Sequence, residues 1–297
     1  MRIRHPLFAG VGALGLLAVS GCDLAQGMTE RLAEDEREPL VIAVPEWPGG
    51  QANAAVAAYV LENELDVPVR AVEISQRDAW QQLADGSVQA ILEDWGALPE
   101  QVELYVDRKE TVVEAGELGI TGHVGWYVSD DFAEANPSVL DWRNLNDFAG
   151  DLGGRLLHAD PGYATRDATI VDDLGLDFQP VAAGSEDALV TEIADAAEAG
   201  EPLLTYFWEP HWLSAEVSLT EVRLPDYYPK ISLQKYLNAE FAEVGDAAAV
   251  DFLRRFSWTA EDQNAVAELI AGEGLTPAAA AERWVTEHPD TVAGWLE

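Results

Sequence analysis

The large aromatic residues of this sequence occupy positions that suggest a role in function. The chain contains 10 tryptophans, and "PLLTYFWEPHWLSAE" crowds several rings around the end of an apolar run. The rings predicted at strand ends or in loops, rather than on helices, are Trp47, Trp95, Trp126, Tyr163 and Trp208. A quaternary ammonium group has no hydrogen to donate, and ring faces gathered at one cleft bind it. The sequence therefore predicts an aromatic cage.

Catalytic and metal-binding motifs are the alternative to a cage, and the sequence offers few residues for them. It contains no HExxH, no GxSxG and no Walker loop, and its histidines lack the spacing of metal ligands. Glu209 and His211, in "EPH", are the pair that an extracytoplasmic hydrolase would use. We expect no metal, no cofactor and no catalysis, and we keep that hydrolase as the alternative.

A strong excess of acidic residues limits the partners of this chain. Its 54 Asp and Glu residues outnumber 17 Lys and Arg residues, which gives a formal net charge of -37. Such a surface repels phosphate backbones, so we expect no binding of nucleic acid. A solvated acidic shell explains most of the charge. An acidic surface protein that binds no small ligand therefore remains a further alternative.

The N-terminal segment has the pattern of an export signal. Residues 1–21 combine a basic start with an apolar run that is too short for a lasting membrane span. The run ends in "VSGC" at Cys22, the one cysteine, which resembles the lipobox of bacterial lipoproteins. Residues 22–39 read as an acidic tether. We expect removal of the signal, lipidation of Cys22, and an extracytoplasmic protein held to the membrane by lipid.

Alternating strands and helices are predicted to position the rings. After a buried strand at "LVIAV", helical and strand patterns alternate through "QANAAVAAYVLENEL", "VRAVEI", "SQRDAWQQLADG" and "VQAILE". This alternation predicts an α/β fold with a mostly parallel sheet, in which sites lie at the carboxyl ends of strands. Trp47 and Trp95 both follow such ends.

The pattern restarts after Gly125, which indicates a second lobe. The strand patterns "WYVS", "GRLLHA" and "PLLTYFW" alternate with helical ones, including a helix that begins after Ser185. We predict one lobe from residues 40–125 with 229–297 and another from residues 126–228. The chain is expected to cross between them near Gly125 and near Tyr228.

Longer motifs are spread along the folded part of the chain. They are "EDWGALPEQVELY", "GWYVSDDF", "ADPGYATRDA", "TYFWEPHW" and "TPAAAAERWVTEHPDTVAGWL". With these motifs the chain resembles the glycine betaine, proline betaine and choline class of substrate-binding proteins from ABC importers, in its lipoprotein form. The resemblance implies a periplasmic-binding-protein-like fold of type II, with two lobes and a hinged ligand cleft. It also implies a monomeric, non-enzymatic receptor that passes a quaternary ammonium solute to a membrane permease.

The resemblance also assigns the cage to particular residues. It implies that Trp95 contributes a ring from the first lobe, and that Tyr163 and Trp208 contribute rings from the second. Some members of the class add a tryptophan after the first strand, which matches Trp47. They also add an aromatic residue at the start of the second lobe, which matches Trp126.

Two positions differ from specificity marks of that class. Pro99 stands where some glycine betaine binders have His, and Gly49 stands where some choline binders have Asp. His211 and Trp212 are expected to support the loop rather than touch the ligand. We predict glycine betaine or a close betaine as the ligand, with choline and carnitine as alternatives.

A betaine also carries a carboxylate, which needs partners when it leaves water. We predict that backbone N–H groups of Gly162, Tyr163 and Ala164, at the start of a helix, bind this group. Thr165 is able to add a hydroxyl, although it also suits a helix cap. Arg166 is the nearest guanidinium, although pairing with a surface aspartate is the usual fate of such an arginine.

Overall fold

The strands next to the predicted site belong to one mixed β-sheet. The computed structural model describes residues 38–158, 163 and 165–297. Pro39–Glu297 forms a unit of its own. The predicted signal peptide, Cys22 and almost all of the tether lie outside the described residues, as do Gly162 and Ala164 of the predicted carboxylate site.

The strands are β1 Leu40–Val44, β2 Val69–Glu73, β3 Ala90–Asp94, β4 Val112–Ser129, β5 Arg155–His158, β6 Gln179–Ala182, β7 Leu204–Glu209, β8 Leu219–Glu221 and β9 Ile231–Asn238. The α-helices are α1 Pro48–Asn63, α2 Gln76–Asp85, α3 Pro99–Val102, α4 Asp130–Ala135, α5 Asp167–Leu174, α6 Glu186–Ala199, α7 Ala239–Val244, α8 Ala247–Arg255, α9 Ala260–Ala271, α10 Pro277–Glu287 and α11 Pro289–Leu296. A π-helical turn follows α3, and three short 3₁₀ turns lie between β4 and β8.

The sheet has the order β2-β1-β3-β9-β4-β7-β5-β6, with β8 beside β4. Strands β1, β2 and β3 are parallel to one another, as are β5, β6 and β7. The prediction of a mostly parallel sheet is wrong, because β4 and β9 run antiparallel to their neighbours. These two strands carry the chain from one half of the sheet to the other and back, so they enter the sheet from the opposite direction.

Strand β4 belongs to both halves of the sheet. Its residues from Val112 to Gly122 pair with β9, and its residues from His123 to Val128 pair with β7. The change of partner lies close to Gly125, and β9 begins shortly after Tyr228. The predicted crossing points therefore fall near a change of pairing and a returning strand, while the division into two lobes stays a prediction.

Local capping chemistry fixes the helices that border the cleft. Ser75 accepts a hydrogen bond from the backbone N–H of Asp78 at the start of α2, and Ser185 does the same with Ala188 at the start of α6. Helix α6 ends at Gly200, whose φ of 65° lies in the left-handed region that glycine adopts without strain. The predicted starts of both helices are confirmed.

Most of the remaining tryptophans pack in the core. Trp80, Trp258, Trp284 and Trp295 are buried, and Trp284 stacks on Trp295 with ring centroids 5.9 Å apart. Trp142 is half-buried and lies beneath the guanidinium of Arg143. None of the described helices is both long and apolar enough to cross a membrane.

A buried lysine closes the end of α8. Lys235, on β9, is fully buried, and its Nζ donates to the backbone carbonyls of Leu253, Arg254 and Phe256. Burial lowers the pKa of Lys235 to about 8. The carbonyls at a helix end lack partners within the helix, so this side chain satisfies them and ties β9 to the C-terminal helices.

Candidate binding site

Aromatic rings line a cleft of about 440 Å³. They come from loops and strands that are far apart in sequence: Trp47 after β1, Trp95 after β3, Tyr163 after β5, Tyr206 and Trp208 on β7, and Tyr227 and Tyr228 before β9. Of the five predicted cage rings, four line this cleft. They are Trp47, Trp95, Tyr163 and Trp208.

The rings form a continuous row across the cleft. Tyr163 lies between Trp47 and Trp208, with ring centroids 5.7 Å and 5.9 Å away, and both contacts are edge-to-face. Tyr206 continues the row, 5.9 Å from Trp208 and 6.3 Å from Tyr228. Edge-to-face pairs hold rings at fixed angles, so the row presents ring faces in a defined arrangement.

Strand periodicity explains why Tyr206 and Trp208 share the cleft. Alternate residues of a strand point to one face, so these two rings lie side by side while Phe207 points to the opposite face. Phe207 packs there against Tyr127, with ring centroids 6.1 Å apart. Strand β7 ends at Glu209, which joins Pro210 through a cis peptide bond.

Trp95 packs closely against the backbone of β4. A Cβ atom at Gly122 would lie 2.5 Å from Cζ3 of Trp95, so only glycine allows this approach. The ring is half-buried, and its open face contributes to the cleft. Because β4 changes partner just after Gly122, the ring sits beside the junction of the two halves of the sheet.

A buried carboxylate lies behind Trp47 and Trp95. Glu93 Oε1 accepts hydrogen bonds from Nε1 of both indoles, at 2.7 Å from Trp47 and 2.6 Å from Trp95. Its Oε2 accepts from Nδ2 of Asn53 and from Nε2 of Gln263. Burial raises the pKa of Glu93, and the four hydrogen bonds oppose that shift.

A second buried carboxylate lies behind Tyr163. Glu186, the first residue of α6, accepts a hydrogen bond from the Tyr163 hydroxyl at 3.0 Å and contacts Nε2 of His211 at 3.0 Å. Nδ1 of His211 accepts from the backbone N–H of Leu213, which leaves the proton on Nε2 to donate to Glu186. Burial beside Glu186 raises the pKa of Tyr163, so its hydroxyl stays protonated.

A third buried carboxylate supports Tyr228. Asp167 Oδ1 accepts from the Tyr228 hydroxyl at 2.8 Å and from Nε1 of Trp126 at 2.7 Å, and its Oδ2 contacts Nδ1 of His158 at 2.7 Å. The predicted cage ring Trp126 is fully buried and does not line the cleft. Its indole N–H is engaged by Asp167, and its place in the cage stays a prediction.

The residues predicted for the carboxylate end of the ligand are only partly described. Thr165 is half-buried, and its Oγ1 lies 3.4 Å from Nδ1 of His158. Arg166 is exposed at the mouth of the cleft, with its guanidinium 5.6 Å from the ring centroid of Tyr227. Among the described lining residues Arg166 is the charged one, and no described carboxylate forms an ion pair with it.

Several residues of the site were not predicted from the sequence. Tyr206 had a usable signal, because it precedes Trp208 by one strand period in "TYFW". Glu93 precedes Trp95 in the same way in "EDW". Tyr228 and Glu186 had no such signal in the sequence, since their hydrogen-bond partners lie far away along the chain. Pro99 lines the cleft and Gly49 lies behind it, where its carbonyl accepts from Gln263.

The alternative hydrolase pair is not assembled. His211 is buried and engaged by Glu186 and by the Leu213 N–H, whereas Glu209 is exposed. Within the described part of the chain, no group of three or more His, Cys, Asp or Glu residues could hold a metal ion.

The mixed α/β sheet with its flanking helices matches the type II fold of substrate-binding proteins. The family model of the substrate-binding domain of ABC-type glycine betaine transport systems matches residues 38–287. The chain belongs to this family, and its place is on the extracytoplasmic side of the membrane. The family and fold class predicted from the sequence are confirmed.

Two relatives are similar in sequence. The trimethylamine N-oxide-binding protein of Pelagibacter ubique is 24% identical over 288 residues, which cover 86% of this chain and 90% of that protein. The glycine betaine/carnitine transport binding protein GbuC of Listeria monocytogenes is 27% identical over 111 residues, which cover 37% of each.

Solved structures support the same fold. The structure of lactococcal OpuAC in its closed form with glycine betaine has a TM-score of 0.75 and 20% identity to this chain. The match covers 88% of this chain and 100% of that chain. A choline-binding protein of an ABC transporter, in complex with choline, gives 0.74 at 20% identity over 87% and 91% of the two chains. The glycine betaine/L-proline-binding protein ProX of Borrelia burgdorferi gives 0.76 at 17% identity over 88% and 97%.

The buried position of Trp126 gives a testable difference from the cleft rings. We expect Trp126→Phe to lower the free energy of unfolding by about 1–3 kcal/mol, because it removes the hydrogen bond to Asp167 and leaves a small void. Urea unfolding measures this loss. Glycine betaine affinity should stay nearly unchanged, since the ring does not face the cleft. A folded variant with strongly reduced affinity would place Trp126 in the cage after all.

Proposed function

We propose that this protein captures a small zwitterionic quaternary ammonium solute, glycine betaine or a close betaine, for import by a membrane permease. The observation that carries the proposal is the row of rings in the cleft, from Trp47 through Tyr163 to Trp208, with Trp95 beside it. Ring faces attract a cation without needing a hydrogen-bond donor, which is the property that a trimethylammonium group requires.

The number of rings is sufficient for useful affinity. Each well-placed ring contributes roughly 0.5–2 kcal/mol to the binding of a desolvated cation. Four rings therefore supply a large part of the roughly 8 kcal/mol that micromolar binding requires. The remainder is left to the far end of the ligand and to the exclusion of water.

The charge at the mouth of the cleft favours a betaine over choline. Among the described lining residues, Arg166 carries a positive charge and no carboxylate faces the space. A guanidinium offers donors to a ligand carboxylate, which choline lacks. We propose that Arg166 and the N–H groups near Tyr163, including those of Gly162 and Ala164, receive this end of the ligand.

Other trimethylated ligands are the competing candidates. Choline and carnitine share the head group, and the relative from Pelagibacter is named for trimethylamine N-oxide. Trimethylamine N-oxide has three methyl groups on a positive nitrogen, but its oxygen is bonded directly to that nitrogen. It would therefore fill the cage without spanning the distance to Arg166. We propose that this protein is a receptor rather than an enzyme, because His211 already forms a hydrogen bond with Glu186.

The two halves of the sheet suggest how the ligand is enclosed. Trp47 and Trp95 belong to the proposed first lobe, residues 40–125 with 229–297, while Tyr163 and Trp208 belong to the proposed second lobe, residues 126–228. A ligand held between them would draw the lobes together. We propose that the protein acts in this way as a monomer, and that the closed form docks on the permease.

A titration with a small panel of ligands tests this function. We expect wild-type protein to bind glycine betaine more tightly than choline, carnitine or trimethylamine N-oxide in calorimetry. Trp208→Ala should weaken glycine betaine binding by about tenfold or more, because one ring of the cage is lost. Trp142→Ala, which removes a half-buried ring outside the cleft, is the matched control and should bind normally. Unchanged affinity in Trp208→Ala would contradict the cage.

Arg166 determines the choice between a zwitterion and a simple cation. We expect Arg166→Gln to weaken glycine betaine binding about three- to tenfold, the range of one exposed charge-assisted contact, and to leave choline binding nearly unchanged. The backbone N–H of Arg166, which donates to the Tyr228 hydroxyl, is kept in this variant. Equal losses for the two ligands, or no loss for either, would remove Arg166 from the ligand site.

The lipid anchor is a separate proposal that rests on "VSGC". We propose that the export signal, residues 1–21, is removed and that Cys22 carries the lipid. The Cys22→Ser variant should then appear in the soluble extracytoplasmic fraction, whereas wild-type protein sediments with membranes. Fractionation followed by immunoblotting measures the distribution, and a variant that still sediments with membranes would refute the anchor.

A further inference from the structure

We propose that Glu93 and Glu186 are specificity-determining residues, whose buried negative charges make the cage select a cationic head group over an uncharged group of the same shape. The inference rests on the proposed function and concerns the layer behind the rings, which does not touch the ligand. It is carried by the hydrogen bonds of the two carboxylates, by their burial and by the lack of a lysine or arginine partner among the described residues.

The hydrogen bonds around Glu93 favour its ionised form. Its two oxygens accept from four N–H groups, two of them on cage rings and two on the amides of Asn53 and Gln263. This set fills the lone pairs of a carboxylate and gives the O–H of a protonated carboxyl no acceptor. The hydrogen bonds therefore favour the charged form against the burial that raises the pKa of Glu93.

Glu186 is also surrounded by hydrogen-bond donors. It accepts from the Tyr163 hydroxyl and from Nε2 of a neutral His211, whose other nitrogen is occupied by the Leu213 N–H. Because this tautomer of His211 carries no charge, it satisfies Glu186 without neutralising it. The helix start at Glu186 further favours a negative charge.

Neither charge is balanced within the described residues by a lysine or arginine. Among the residues that the structure describes, His211 is the one partner within ion-pair distance of Glu186, and Glu93 has none. The two carboxylates line the same small cavity, directly behind Trp47, Trp95 and Trp208. Two uncompensated negative charges therefore lie close together on the side of the rings that faces away from the cleft.

Holding the rings in place does not by itself require these charges. A neutral amide oxygen also accepts a hydrogen bond from an indole N–H or a phenol, and burying an unpaired charge is costly. A cation on the far side of the rings supplies the missing partner. The low dielectric of the interior strengthens that attraction, and hydrogen bonding to an anion polarises the rings and makes their faces more negative.

An uncharged isostere separates this electrostatic role from simple support. In 3,3-dimethylbutanoate, a carbon replaces the nitrogen of glycine betaine, so shape and carboxylate are kept and the positive charge is lost. We expect Glu93→Gln to weaken glycine betaine binding about tenfold, the size expected for one charge across about 10 Å at an effective dielectric constant near 20. Binding of the isostere should stay unchanged or become tighter, and Glu186→Gln should act in the same direction.

Tryptophan fluorescence titration of both compounds, with a thermal melt of each variant, measures these effects. Glu46→Gln is the matched control, because Glu46 precedes Trp47 but is exposed, and the ratio of the two affinities should stay at its wild-type value. Should Glu93→Gln fail to fold, Glu186→Gln carries the test, since its partners lie on other elements.

Each result of this experiment has a defined meaning. A fall in the ratio of glycine betaine affinity to isostere affinity supports the inference. Equal losses for both compounds would show that the carboxylates only position the rings, and no loss would show that their charge is irrelevant; either result overturns the inference while glycine betaine binding by wild-type protein still stands. A wild-type protein that binds neither compound overturns the proposed function and this inference with it.

Discussion

Two indole N–H groups that donate to one oxygen of a buried carboxylate are the interaction on which the site depends. Glu93 Oε1 joins Trp47, which follows β1, to Trp95, which follows β3, and so fixes the first two walls of the cleft. Its other oxygen reaches α1 through Asn53 and α9 through Gln263. Asn53 also accepts a hydrogen bond from Nε1 of Trp258. Glu93 therefore connects segments near the start of the folded chain with segments near its end.

The rings on the other side of the cleft are also held by buried carboxylates. The Tyr163 hydroxyl is held by Glu186, and the Tyr228 hydroxyl is held by Asp167. In each case a ring shows its face to the cleft and gives its polar hydrogen to a carboxylate behind it. This arrangement leaves the cleft lined by ring faces, so a ligand that competes for hydrogen bonds finds few partners there. A trimethylated nitrogen gains from such a surface, whereas a primary amine would lose the hydrogen bonds that it makes with water.

The features of the site that could be predicted are those that depend on residues close together in the sequence. Trp47, Trp95 and Trp208 could be placed because each lies at a strand end, and strand ends are visible in the local pattern of apolar residues. The burial of Trp126 could not be read from the sequence, because it rests on Asp167, which no local pattern connects to it. The antiparallel course of β9 was missed for the same reason, since the partner of a strand is decided by the whole sheet.

A crystal structure of the protein with glycine betaine tests the central claim most directly. The account predicts the ligand nitrogen within about 6 Å of the ring centroids of Trp47, Trp95, Tyr163 and Trp208, the range of cation–π contacts. It also predicts that the ligand carboxylate points toward Arg166, and that the hydrogen bonds from Trp47 and Trp95 to Glu93 are kept. A trimethylammonium group that contacts other residues, or a Glu93 that turns to bind the ligand itself, would contradict the account.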